Sequence, residues 1–258
     1  MAYYGSDQIK LVLVGGWQLQ PYCHELSEEG VEAVMEETNP LGSSWREYTP
    51  VGLRQHGITL GGLYDASSGG PSAALSTRLG STHVVCYGVE GNDIGDDFLG
   101  FNAVEGAFNR TMGRGVLHRF TAALRGSGRF DEGKILKAYG HSTGSTGTSS
   151  ASAVDNGSST PAGGVAYFHI SSINMDGATS FTAWVRHSSN GTVWADLTTF
   201  TGITSSVATY AAERIVTASA TVVERHLTAA WAYNSTVANS SRTAEFFVGY
   251  ARGSTAAT

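Results

Sequence analysis

Short stretches in which apolar and polar side chains alternate recur through the second half of the chain. Residues 165–170, 180–187, 194–200, 208–216, 225–233 and 244–250 are each rich in β-branched or aromatic residues. In the second stretch Phe181, Ala183 and Val185 fall on one side and Thr182, Trp184 and Arg186 on the other. That is the two-residue period of a half-buried strand. Asn190-Gly191 lies between two of these runs as a hairpin signal, and Asp176-Gly177 marks another turn. Strands at this spacing, with hardly a helical period among them, predict a β-sandwich.

The first half reads as mainly β with one short helix. Ile9–Val14 alternates and stops at Gly15-Gly16, and residues 57–64, 83–87 and 115–125 also read as strands. Residues 31–37 fit a strand or a helix by pattern alone. Pro71 to Gly80 predicts the helix: proline suits a first turn, Leu75 and Leu79 are four apart, and Gly80 can stop it. Residues 92–110 show no period that decides between the two states.

Composition supports a packed β protein. Of 258 residues 41% are hydrophobic and 10% aromatic, so a real core can form, while only 15% are charged and 33 are glycine. Charge is unevenly spread: residues 1–140 hold 16 Asp+Glu and 11 Lys+Arg, a net of −5, and residues 141–258 a net of −1. Between them, residues 141–160 are Ser, Thr and Gly with one sizeable apolar side chain, Val154, which predicts a flexible connection. The expected organisation is therefore a domain over 1–140, a linker or loop over 141–160 and a β-sandwich over 161–258. A net charge of −6 argues against a binder held by phosphate contacts. No apolar run reaches the ~20 residues of a membrane span, and the first residues lack a secretion signal. Two cysteines, Cys23 and Cys86, suggest free thiols in a reducing cytoplasm.

Few motifs promise chemistry. Gly140-His-Ser142-Thr-Gly144 matches the nucleophile elbow G-x-S-x-G, but the Gly/Ser run after it offers no helix, so a chance match is the better reading. The eight histidines lack the H-x-x-x-H spacing of a zinc site, and Asp93, Asp96 and Asp97 lack the spacing of a calcium loop. No nucleophile, base and orienting group can be named together, so neither an enzyme nor a cofactor or metal is expected. More informative are Glu25, Glu28, Glu29, Glu32, Glu36 and Glu37, six carboxylates in thirteen residues without a Lys or Arg. They form either a solvated acidic face or a surface that repels polyanions. Close by, the polar loop at residues 39–48 ends in Trp45 and Tyr48, aromatics of the kind that anchor interfaces.

Three segments resemble the major tail tube proteins of long-tailed bacteriophages. One is Thr38 to Asp65, a small-residue loop running through proline to a glycine-flanked strand that ends Leu-Tyr-Asp. Another is Val116 to Gly140 with Asp155-Asn-Gly157 and Gly163 to Ile170. The third runs from Trp184 to Phe200 and on through Glu224–Thr228 to Phe246–Arg252. The resemblance implies a tail-tube-like β-barrel or sandwich followed by an outward-facing C-terminal β-sandwich. It further implies a virion protein, assembled in the host cytoplasm, whose hexameric rings stack into a tube. Tape-measure and tail terminator or tip proteins would be its partners, with double-stranded DNA passing through without specific binding. On that reading Glu32 and Glu36 are candidates for an acidic lumen, and Trp45 and Tyr48 for a subunit interface.

Two other functions fit the same pattern. One is a carbohydrate- or receptor-binding β-sandwich that uses Trp184, Trp194 and Trp231 to stack on sugars, although tryptophan in a sandwich is more often core. The other is a capsid decoration protein.

Overall fold

The computed structural model describes residues 9–28, 32–37, 48–76, 78–144, 147–204, 210–235 and 241–253. It is mainly β. The strands in chain order begin with β1 (Val12–Val14), β2 (Trp17–Gln18), β3 (Cys23–Glu28), β4 (Glu32–Glu37), β5 (Tyr48–Gln55) and β6 (Gly57–Leu63). Next come β7 (Thr82–Gly88), β8 (Asp97–Thr111), β9 (Arg119–Gly144), β10 (Gly147–Ser150) and β11 (Val154–Asp155). The last are β12 (Gly164–Asn174), β13 (Ser180–Ser188), β14 (Ala195–Thr199), β15 (Ala211–Thr217), β16 (His226–Asn234) and β17 (Arg242–Arg252). Two compact units result. Met1–Pro21, His83–Asn102 and Asp131–Thr258 form the first, and Tyr22–Thr82 with Ala103–Phe130 the second.

This division differs from the expected one: Met1–Pro21 and His83–Asn102 group with the C-terminal half, and residues 141–160 contribute strands. Residues 141–144 continue β9 and pair with β17, Gly147–Ser150 pair with β16, and Val154 is buried opposite Leu227. The reason is that ladder hydrogen bonds need only backbone, so a Ser/Thr/Gly run poor in apolar side chains can still serve as strand. Polarity concealed it.

In the first unit, one sheet runs β15-β12-β17-β9-β8-β7-β1-β2, and a second runs β10-β16-β13-β14 with β11 on β16. Phe168, Ile170, Phe246 and Val248 of the first sheet pack on Phe181, Val185, Leu227 and Trp231 of the second. Strands β12 and β17 are buried on both faces. Their alternate residues, Val165, Tyr167, Phe247 and Ala251, join Leu11, Leu13, Cys86, Phe98 and Ile135 in another core. The long sheet therefore curls over itself. Its ends approach where Trp17 stacks on Tyr210, with ring centroids 4.3 Å apart, and where the Gly16 N–H donates to His169 Nδ1 at 3.3 Å. A Cβ on Gly16 would lie 2.5 Å from the Ala211 nitrogen, so this approach needs glycine. No ladder joins β2 to β15 among the described residues, so this sheet is open and curled, and of the expected barrel or sandwich no barrel closure is seen.

In the second unit β3 pairs with β6 and β6 with β9. Strands β4 and β5 form a two-stranded sheet of their own. The expected helix at 71–80 shrinks to one wide helical turn, Ser72–Ser76, with Leu75 buried and Leu79 exposed. Ser76 Oγ donates to the Ser72 carbonyl at 2.6 Å, a side-chain bond of the kind that competes with a regular helix.

Both predicted turns are present. Asp176 and Gly177 have φ of 34° and 81°, and Asn190 Oδ1 accepts from the Thr192 and Val193 N–H groups after Ser188.

Candidate functional site

Of the acidic and aromatic residues singled out by the sequence, Glu32, Glu36, Glu37 and Tyr48 fall on the β4–β5 hairpin, while Glu25 and Glu28 lie on β3, which pairs with β6. Glu32 stands opposite Gln55, Glu36 opposite Thr49, and Glu37 opposite Tyr48. The register is irregular between Ala33 and Met35. Trp45 lies outside the described residues. The segment that fitted either state by pattern is thus a strand, and it pairs with β5 alone among the described residues. A two-stranded hairpin by itself is marginally stable in water. It gains when another surface covers it.

Polar groups buried in the first unit are structural in their geometry. Tyr167 donates its hydroxyl to Asp131 Oδ2 at 2.5 Å, and Arg214 Nη2 reaches the same oxygen at 2.6 Å. Arg214 Nε also donates to the Tyr167 oxygen at 2.9 Å. The Asp131 side chain is 2% exposed and that of Arg214 15%. Burial holds the Tyr167 hydroxyl well above its usual range, and burial likewise raises the Cys86 thiol. A carboxylate so placed tolerates its surroundings because guanidinium and hydroxyl both face it. His169, on β12, is completely buried, and desolvation pulls its imidazole down to about 3. Accepting from Gly16 at Nδ1, it is neutral, with its proton on Nε2.

A half-buried polar cluster lies where β9, β12 and β17 adjoin. Tyr139 and Ser171 share a hydrogen bond of 2.7 Å, and Ser171 Oγ donates to Glu245 Oε2 at 3.0 Å. Lys137 lies 4.9 Å over the Phe246 ring and donates to the Ala138 carbonyl; burial lowers its ammonium to about 8. The G-x-S-x-G match runs through this strand. Ser142 pairs opposite Ala244 in the ladder and His141 opposite Glu245, which is not the sharp strand-to-helix turn that exposes a nucleophile.

The remaining candidates disperse. Trp231 is 7% exposed and packs edge-on against Phe246 in the core. Trp184 alternates with core-facing Ala183 and Val185, so it stands on the opposite face of its sheet, half-buried. Asp97 pairs with Lys134 at 2.7 Å, and Asp96 Oδ2 accepts from the Asp93 N–H. Among the described residues no group of three His, Cys, Asp or Glu could hold a metal ion. Cys23 is a free thiol raised to about 12 by burial.

No protein-family model matches the chain. No curated protein matches it either. Among solved structures it is similar to a chain in the virion of a native gene transfer agent particle, at 14% identity and a TM-score of 0.36 over 50% of this chain and 97% of that one. The tail of an empty gene transfer agent particle with C6 symmetry gives 13% and 0.36 over the same shares. The Dit protein of phage SPP1, a paradigm of the hub adsorption apparatus in phages that infect Gram-positive hosts, gives 11% and 0.34 over 93% of this chain and 98% of that one. These distant likenesses assign the chain neither partner nor activity.

Sequence reasoning missed the Asp131–Tyr167–Arg214 group, whose charged members are 83 residues apart and carry no local signal. It also passed over the β8–β9 turn, where Met112, Val116 and Leu117 are exposed. The signal there was available: residues 106–130 contain five arginines and no carboxylate.

Proposed function

We propose that this chain is a structural subunit of a bacteriophage tail, assembling with its own copies into hexameric rings that stack as a tube for double-stranded DNA. The observation that carries the reading is the β4–β5 hairpin. It is a two-stranded sheet that pairs with no third strand among the described residues, and its strands hold Glu32, Glu36 and Tyr48. A neighbouring copy that covers such a hairpin adds the partner it lacks and removes open edges. A ring repeats one heterologous contact until it closes, and stacking repeats another along the axis. In this reading Tyr48 and Trp45 anchor the subunit contact, while Glu32 and Glu36 face the lumen and discourage phosphate from binding. Tape-measure and terminator or tip proteins would complete the tail. The resemblance of three sequence segments to tail tube proteins supports the same reading.

Negative-stain microscopy and sedimentation of the concentrated protein test it. Rings or tubes are the expected result. A monomer at every concentration reached would overturn it.

One feature favours a second reading, a receptor-binding or capsid-decorating sandwich. Trp184 is turned away from the core, where an aromatic face can stack on a sugar. Glycan binding that is lost in Trp184→Ala, from a protein that forms no tubes, would establish it.

A further inference from the structure

The turn between β8 and β9 stands open to solvent along its length. All nine residues from Thr111 to Arg119 are exposed. Three of them are large and aliphatic: Met112 is 59% exposed, Val116 60% and Leu117 71%. Aliphatic side chains gathered at one turn and left in water are an association surface in waiting. Arg114 lies among them and Arg119 follows them, and neither has an ion pair among the described residues. Arg110, at the end of β8, donates to the Tyr64 hydroxyl at 3.1 Å.

Charge indicates what covers this turn. Residues 106–130 carry five arginines and no carboxylate, a net of +5. The rest of the chain then holds 11 Lys+Arg against 22 Asp+Glu, a net of −11. Apolar contacts supply affinity, and opposite charge steers the encounter and sets its register. Each molecule thus carries both a basic, apolar-tipped turn and, over the rest of its chain, the excess of carboxylates that complements it. We propose that the β8–β9 turn of one copy docks against carboxylates of a second copy. This rests on the self-assembly reading above and names one of its contact surfaces. Because turn and acceptor are different patches, the contact is heterologous, the kind that propagates into rings or stacks.

The test compares the full chain with two variants, Met112→Ser/Val116→Ser/Leu117→Ser and Arg114→Glu/Arg119→Glu, by sedimentation velocity and negative stain. All these side chains are exposed, and an unchanged melting temperature verifies folding. Wild type should assemble, more weakly as salt rises, while each variant shows at least a tenfold weaker self-association. Chemical cross-links from Arg114→Lys should reach carboxylates of another copy. If wild type assembles and both variants assemble equally well, the docking proposal is overturned and the self-assembly reading survives. If wild type never assembles, the self-assembly reading fails first. Should wild type bind anionic vesicles or duplex DNA through this turn while assembly is indifferent to both variants, the partner is not a second copy and the proposal likewise falls.

Discussion

Replacing His169 by glutamine and following stability against pH tests the interior of the curled sheet directly. Burial holds the His169 imidazole near 3, against an ordinary value of 6.5. Between those values the unfolded chain binds a proton that the folded chain refuses. Stability from this residue is therefore complete above pH 6.5 and is lost as pH falls toward 3. The slope approaches about 1.4 kcal/mol per pH unit, so acidification from pH 6.5 to 4.5 costs roughly 2–3 kcal/mol from this group alone. In a chain of this length that lowers the melting temperature by about 5–10 °C. Glutamine cannot titrate, yet its carbonyl can still accept the Gly16 N–H. The variant should start less stable at pH 7 and close the gap on wild type as the solution is acidified. Carboxylates common to both proteins cancel in the difference. Thermal melts at half-unit intervals from pH 7 to 4.5 supply the measurement. Parallel curves for the two proteins, or an imidazole NMR titration centred near 6.5, would refute the burial argument.

Other expectations follow from the same geometry. Arg214→Met strands the Asp131 carboxylate and should cost about 3–5 kcal/mol in urea unfolding, with most of the loss recovered when Asp131→Leu and Tyr167→Phe are added; a single-variant cost below about 1 kcal/mol would contradict the buried pair. Lys137→Met should stabilise the protein at pH 7 by about 1 kcal/mol, since a half-buried ammonium is removed and its packing on Phe246 kept. Because burial lowers Lys137, wild type should also gain stability as pH rises from about 8 to 10.5, a trend that the methionine variant lacks. Phe246→Ala, at the meeting of Phe168, Phe181 and Trp231, should cost about 3–5 kcal/mol by denaturant melt. Glu32→Gln/Glu36→Gln should leave assembly intact and slow DNA delivery by the assembled particle; unchanged delivery would remove the acidic-lumen proposal.

The strands with one polar face were the legible part of this molecule. Phe181, Ala183 and Val185 announced β13, and Asn190-Gly191 announced its turn, because alternation and turn chemistry act over a few residues. Strand β8 escaped because its tail, Asn109 to Thr111, is polar and exposed, which weakens the period. The end of β9 and β10 escaped for a related reason: Ser, Thr and Gly satisfy a ladder through backbone alone. Of the candidate site, Glu32, Glu36 and Tyr48 fall on the paired strands β4 and β5, a pairing that no local pattern in the sequence announced. The Asp131–Arg214 pair and the neutrality of His169 were not, since both arise from strands brought together across long stretches of chain.

Strand β17 lies between β12 and β9 in the middle of the long sheet, although its residues, Arg242–Arg252, come far later in the chain than either neighbour. During synthesis, β12 is finished some seventy residues before the partner that covers it leaves the ribosome. Until then Val165–Ile170, apolar on both sides, has an open flank that would welcome the same segment of a nascent neighbour. Correct maturation consequently depends on the order of events. Slower translation over the region between β12 and β17 should lower soluble yield without altering a single contact of the finished molecule.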